Sequence, residues 1–445
     1  MRLQSQTSRL DLALELTLAL GLVLSPSTQL RQEQLPIGLS EIFLAGWVAF
    51  MGMREVLRLG PPITPALARI GMFWLLMTLA LILGTLAGYV IGDVHDTGLF
   101  LHDAVAYPFL AAVSIFAVVE PGASGRLQRV AWLVATLGAG SLALQVLQGL
   151  DFIDLPLFDP WFWDRLRGWS ANPNQLALFC AMLLPLSLHL AETSTNSTAR
   201  LTALACGLIS ITAGLMSKSD TFKLVLVVVG LVLVAIKLRA WLLRSEGRVG
   251  LRFAVAGILA LACPVLIGTG MVVASTMGEQ IEAFAQGFSK EKPQGSEQEA
   301  EIRFAAWREA IVRGSESGML GLGPGPHLYI PVAILAGRRN TRVTFSGIKH
   351  PDDNGIPNFE AHNTLLDLFT QGGLLAIAAL VWLYGTTMLS IFKTRFDGLK
   401  AVLCSIAIFS TMHLIVRQPM FWFMLDLSLV MALGARTTAP TNGRG

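Results

Sequence analysis

The sequence predicts an all-α polytopic membrane protein of about twelve transmembrane helices, with one long extracytoplasmic loop that contains an amphipathic helix. Three observations predict it. Of the 445 residues 53% are hydrophobic and only 14% charged, where about 25% charged is usual for a soluble globule, and mean hydropathy is +0.60. Apolar runs of about 17 to 25 residues, the length that a hydrocarbon core of roughly 30 Å requires, recur along the chain. Between them the basic residues alternate from rich to poor.

The runs centre near Leu18, Val48, Leu81, Val113 and Leu142 in residues 1–150, an amino-terminal group of spans. Those near Met182, Leu208, Val228 and Leu261 form a central group in residues 151–275, together with the loop that holds Arg167. Residues 276–363 form the long loop, and residues 364–445 hold runs near Ile377, Ile408 and Leu429. The first run begins soon after Arg9 with no small-residue cleavage site behind a short apolar core, so it reads as a retained span. Cys180, Cys206, Cys263 and Cys404 all fall in predicted spans, which points to neither a disulfide framework nor a thiolate metal site.

If the spans alternate, eighteen of the 33 Lys and Arg fall on one side, among them Arg54, Arg58, Arg126, Arg129, Lys237 and Lys400. The short loops of the other side hold six, Arg31, Arg165, Arg167, Lys218, Lys223 and Arg417, and the long loop holds the rest. Short loops decide orientation, so both termini are expected in the cytoplasm. Arg167, Lys218, Arg303, Arg308 and His362 then share the outer, non-cytoplasmic face, where no ATP or nucleotide sugar is available. No Walker-type phosphate loop or dinucleotide fingerprint occurs, and a net charge of +3 argues against nucleic acid as a partner.

On that face, Trp161 to Trp169 lead into Asn172-Pro173-Asn174, a break that starts a helix whose free N–H groups face an anion. Arg167 is the anion ligand this suggests, with Asn172 and Asn174 in support. Trp161, Trp163, Trp169 and Arg165 fit a headgroup-level belt equally well. Lys218, between Ser217 and Ser219 in a short connection, either holds phosphate or sits in a plain capped turn. His95 and His102 with Asp93, Asp96 and Asp103 lie in another outer loop, whose spacing matches no metal-ligand pattern well.

The long loop opens with a polar stretch from Ser289. Ser296 followed by Glu299 is a capping-box pattern that starts a helix reaching about Val312, before Gly314. Ala300, Phe304, Trp307 and Ile311 share a stripe of it, with Arg303 and Arg308 about 70° to either side. Such a helix either lies on the membrane with no further role or presents its two arginines to a ligand. Then come the tight turn Gly321-Leu322-Gly323-Pro324-Gly325-Pro326, the basic stretch Arg338, Arg339, Arg342 and Lys349, a turn at Asp352-Asp353-Asn354-Gly355, and Glu360-Ala361-His362-Asn363.

His362 stands where this loop runs back into an apolar span. An imidazole, with an unperturbed pKa of roughly 6.5, suits a general base there, and a helix-capping role beside Asn363 is the plainer alternative. Several cations and one base on a face without nucleotides fit transfer from a lipid diphosphate. That leaving group needs charge stabilisation more than a general acid, and arginine supplies it through bidentate bonds.

Arg167-Gly168-Trp169, then Arg303…Trp307-Arg308 leading to Gly321-Leu322-Gly323-Pro324-Gly325, then Glu360-Ala361-His362-Asn363-Thr364…Gly372-Gly373, resemble the O-antigen ligase and O-antigen polymerase superfamily. Its members are bacterial inner-membrane glycosyltransferases of the GT-C type, and the likeness runs from about residue 160 to 430. It implies an undecaprenyl-diphosphate-linked glycan donor, inverting transfer without metal or other cofactor, a histidine base at His362 and diphosphate-binding arginines at Arg167 and Arg303. Arg308 and Lys218 are further candidates, and Glu360 and Asn363 support the histidine. Where similar proteins often carry Ser-Arg-Gly or Ser-Arg-Ser, this chain has Ser217-Lys218-Ser219, which keeps the charge and loses the fork. The implied acceptor is lipid A-core for a ligase, or a second lipid-linked repeat for an O-antigen or exopolysaccharide polymerase. A lipid or solute transporter is the reading from another class, but such proteins place ionisable residues near the bilayer midplane.

Overall fold

The computed structural model describes residues 9–30, 37–58, 62–120, 122–156, 158–244, 296–332, 334–335 and 353–437. The apolar run around Leu261, Cys263, the polar stretch from Ser289 up to the helix at Ser296, and the basic stretch from Arg338 to Lys349 lie outside them.

Twelve α-helices occur among the described residues: α1 (Arg9–Leu24), α2 (Leu39–Leu57), α3 (Pro65–Ile91), α4 (Thr97–Val118), α5 (Ala123–Gly149), α6 (Pro173–Thr193), α7 (Ser197–Met216), α8 (Asp220–Arg244), α9 (Ser296–Glu316), α10 (Thr364–Phe392), α11 (Asp397–Ser410) and α12 (Pro419–Thr437). Eleven of the twelve expected centres lie on helices, and the twelfth, Leu261, is outside the described residues. Seven of these helices, α3 to α8 and α10, are long and apolar enough to cross a membrane, and Pro419–Ala435 is a shorter apolar helix. The chain is thus mostly helical with several membrane-spanning candidates. One hairpin interrupts the helices, β1 (Trp161–Phe162) against β2 (Arg165–Leu166), pairing Trp161 with Leu166 and Phe162 with Arg165.

The helices start and stop where local chemistry says they should. Thr64 caps α3, accepting from Leu67 N at 3.1 Å, Pro65 opens it, and Gly92 ends it in the left-handed region. Asn172 caps α6 and Asn363 caps α10.

The chain divides into two units, residues 1–230 with 306–445, and residues 231–305. Of the second, the described residues are the last part of α8 and the first turns of α9. In the first unit α12 is the central element, with Met420 to Leu425 all buried. Its Trp422 ring packs 5.0 Å from Phe73 and 4.5 Å from Trp74 of α3.

The helices alternate in direction. At one end Glu120, just past α4, accepts from Arg54 of α2, from Arg58 just after that helix and from Arg126 of α5, while Arg129 pairs with Glu15 of α1 at 2.5 Å. Gly398 N at the start of α11 donates to Glu192 near the end of α6 at 2.9 Å, so α11 runs back along α6. The connections after α1, α3, α5, α7 and α11 therefore gather at the other end, where the long loop returns.

There α10 is broken. Gly373 has φ 62 and ψ −157, a conformation essentially limited to glycine. The carbonyls released by the break are taken up by the glycine turn: Leu322 N donates to Thr370 O at 2.7 Å and Gly323 N to Gln371 O at 2.9 Å, while Leu374 N reaches Met319 O at 3.0 Å. α3 comes close enough to cover this joint only because Gly84 and Gly88 lack side chains. A Cβ on Gly84 would lie 2.4 Å from Gln371 O, and one on Gly88 2.8 Å from Leu322 O.

Candidate functional site

The loop that carries His362 is held from several directions. Leu328 and Phe359 form an antiparallel bridge, with Leu328 N donating to Phe359 O at 3.1 Å and Phe359 N to Leu328 O at 2.9 Å. Beneath it Ala306, Ala310, Leu328, Ile330, Phe359 and Ala361 form a buried cluster that ties α9 to the loop. Trp307 Nε1 donates to Ala361 O at 3.0 Å. Asn363 caps α10 by accepting from Leu365 N and Leu366 N, and its Nδ2 donates to Thr411 O at 3.0 Å.

His362 itself is exposed and left-handed, with φ 52. Its ring meets the Phe359 ring edge-on at 5.3 Å. The N-cap of α10 is Asn363, the residue after this histidine. Two residues before His362, Glu360 is ion-paired with Arg417, which also donates to both carboxylate oxygens of the buried Asp103 at 2.8 and 2.9 Å. His102 Nδ1 lies 3.0 Å from the same carboxylate. A chain of charges thus runs from the start of α4 to the histidine loop.

The second arrangement surrounds the hairpin. Lys218, left-handed at φ 49 in the turn between α7 and α8, meets Asp164 Oδ2 at 2.6 Å, and this contact holds the Asp164 carboxyl below the usual carboxylate range. Arg165 bridges outward, with Nε to Ser217 O and Nη2 to Asn174 Oδ1, each 3.1 Å. Asn172 accepts from Asn174 N at 2.7 Å. Arg167 is 4% exposed, and its guanidinium binds Asp159 through the backbone oxygen at 3.0 Å and the carboxylate at 2.7 Å. An anion at Arg167 would have to compete with that carboxylate. Of the belt candidates, Trp161 and Trp169 turn inward to Gly149 O and Gln148 Oε1, and Trp163 is 71% exposed.

Arg303 and Arg308 both lie on α9, Arg303 half-buried and Arg308 exposed; Arg303 belongs to residues 231–305 and Arg308 to the other unit. α9 continues past Gly314 because that glycine packs on the Phe369 ring rather than ending the helix, a Cβ there lying 2.4 Å from Phe369 Cδ1. Inward it turns Ala306 and Ala310, leaving Ile311 at the surface.

Glu309 of α9 accepts from Tyr329 N at 2.8 Å, and burial raises its carboxyl above the usual range. A raised carboxyl pKa means that ionisation opposes folding once pH exceeds the unfolded value. Glu309→Gln keeps an acceptor and removes the charge. Its melting temperature should exceed the parent's modestly at neutral pH, and the difference should vanish near about pH 4, where carboxyls protonate in both states.

Sequence reasoning missed several residues here. The acids of the outer loop, weighed above for a metal, have partners the sequence did not suggest: Asp93 meets Arg313 at 3.1 Å and lies 3.3 Å from His327, and Asp96 caps α4. Asp367, buried in the first turn of α10, accepts from the backbone on both sides of His362. An acid so close to the start of an apolar span was the available signal.

Residues 205–381 match the family model described as O-antigen ligase. That stretch includes Lys218, Arg303, Arg308 and His362, and Arg167 lies before it. No curated protein matches the chain. The chain is thus similar, over residues 205–381, to the O-antigen ligase family.

Proposed function

From this likeness we propose that the protein is an inverting, metal-independent glycosyltransferase that moves a glycan from undecaprenyl diphosphate to an acceptor hydroxyl, as an O-antigen ligase with lipid A-core as acceptor. The observation that carries the reading is His362, exposed and held in a fixed backbone conformation, inside the stretch that matches the ligase family.

In this reading the acceptor hydroxyl loses its proton to the His362 imidazole as its oxygen attacks the anomeric carbon. The bond from that carbon to the diphosphate oxygen breaks, and the diphosphate leaves with the electron pair. One displacement inverts the configuration. Arg303, with Arg308, Lys218 and Arg167 as further cations, offsets the charge that grows on the leaving group. Glu360 and Asn363 support the histidine loop through Arg417 and Thr411.

An inner-membrane location, cytoplasmic termini and a periplasmic site complete the proposal. They are supported by the arginines that gather around Glu120 and Glu15, at the end opposite the histidine loop.

The deciding experiment supplies the purified protein with a lipid-diphosphate glycan and either lipid A-core or a second lipid-linked repeat. Elongated lipid A-core identifies a ligase, chain growth on the lipid-linked repeat identifies a polymerase, and no product with either overturns the proposal. Charge-assisted bonds from arginine contribute about 1.5 to 3 kcal/mol, so Arg303→Ala should raise the KM for donor on the order of 10- to 100-fold. An unchanged donor KM in that titration would remove Arg303 from the site.

A further inference from the structure

We propose that Asp367 is the positioning residue of His362, a backbone clamp that holds the histidine at the angle its chemistry needs. The proposal rests on the reading of His362 as the base.

The geometry is local and two-sided. Asp367 Oδ1 accepts from Ala361 N at 2.7 Å, and Oδ2 accepts from Asn363 N at 3.2 Å. These are the peptide N–H groups on either side of His362, so one carboxylate closes a bridge over the residue between them. That residue has φ 52, a conformation that side-chain-bearing residues seldom adopt without outside support. The support is rigid because Asp367 is 2% exposed and sits within the first turn of α10, where a carboxylate is also favoured by the helix dipole.

Trp307 fixes the carbonyl of Ala361, and Asn363 is fixed by its own capping bonds. The backbone around His362 is therefore bound on both flanks, while its imidazole projects from an exposed position. This is how a single proton acceptor is kept ready on a loop: its neighbours bear the constraint.

Asparagine is the discriminating replacement. It matches aspartate in shape but offers one acceptor oxygen, and its amide hydrogens would face the second backbone N–H. Serine likewise offers a single oxygen, set further back.

The test measures kcat and donor KM for purified Asp367→Asn, His362→Ala and the double variant, with membrane level and melting temperature recorded alongside. A misplaced catalytic group loses on the order of 10²-fold in rate, so Asp367→Asn should lower kcat by about 10- to 100-fold and leave donor KM within about twofold. In the His362→Ala background the same change should remove nothing further, because the clamp acts only through the histidine.

Full kcat in Asp367→Asn, with His362→Ala inactive, overturns the clamp and leaves the base in place. So does a raised donor KM without loss of kcat, or a further loss in the double variant, since either places Asp367 in other work. Full activity in His362→Ala overturns the base, and the clamp with it. Should the asparagine variant fail to accumulate, Asp367→Ser is expected to show the same kcat-only loss, and full kcat there overturns the proposal.

Discussion

Replacing His362 with alanine should lower glycan transfer by on the order of 10²- to 10⁴-fold while the protein still accumulates, folded, in the membrane. That loss corresponds to about 3 to 5 kcal/mol of barrier, the contribution of one well-placed base. Folding should survive because the loop is held by Trp307, Asn363, Asp367 and the Leu328–Phe359 bridge. The imidazole is exposed and meets the Phe359 ring edge-on. Transfer of a labelled glycan by purified His362→Ala, with melting temperature measured on the same sample, checks both halves. Wild-type activity there would sink the mechanism.

The second large effect is expected on stability. Gly373→Ala should cost about 3 kcal/mol or more, because two penalties fall on one residue. Alanine is a poor occupant of φ 62 and ψ −157, and its methyl group would lie 2.0 Å from Met319 O and 2.5 Å from the carbonyl carbon of Leu320. Neither neighbour is the tip of a flexible side chain; both are backbone held by the joint itself. Thermal unfolding in detergent, or the amount of protein recovered from membranes, reads this directly. A variant as stable as the parent would mean that the break in α10 is not maintained in the membrane.

How far these features were legible in the sequence depends on the range of the force that makes them. Hydrophobic burial acts through the mean character of some twenty residues, so eleven expected span centres fall on helices. Caps are equally local, and Asn172, Asn363 and the glycine end of α3 follow from it. The turn at Asn354 is of the same kind, its side chain accepting from Ile356 N at 3.0 Å.

Contacts between distant segments left no such mark. Arg417 binds Asp103 and Glu360, the latter 57 residues before it and the former 314, and no short window holds both ends of either pair. Arg167 reads as an available cation although Asp159 is only eight residues before it, because the pair is closed by an irregular loop and not by a regular helical or strand spacing. Gly314 looks like a terminator, since a window reports that a residue lacks a side chain but not that Phe369 fills the space. The break at Gly373 is invisible to hydropathy, which scores its surroundings as one uninterrupted span. Asp367 was hidden by its setting, a single acid averaged away among leucines and phenylalanine.

The joint between α10 and the glycine turn also constrains how the protein is made. Gly373 lies nine residues into the helix, about 14 Å from Thr364 along its axis, so unpaired peptide groups there would meet hydrocarbon. Each such group costs several kcal/mol in lipid, and the partners that satisfy them are Met319, Leu322 and Gly323, which emerge from the ribosome some fifty residues earlier. α10 cannot settle into its broken form by itself on leaving the translocon. It must either enter as a continuous helix and open later, or wait beside α3 until the earlier turn is already lodged against Gly84 and Gly88. Assembly of the protein therefore includes a docking step between α10 and the glycine turn, at the helix into which the histidine loop directly runs.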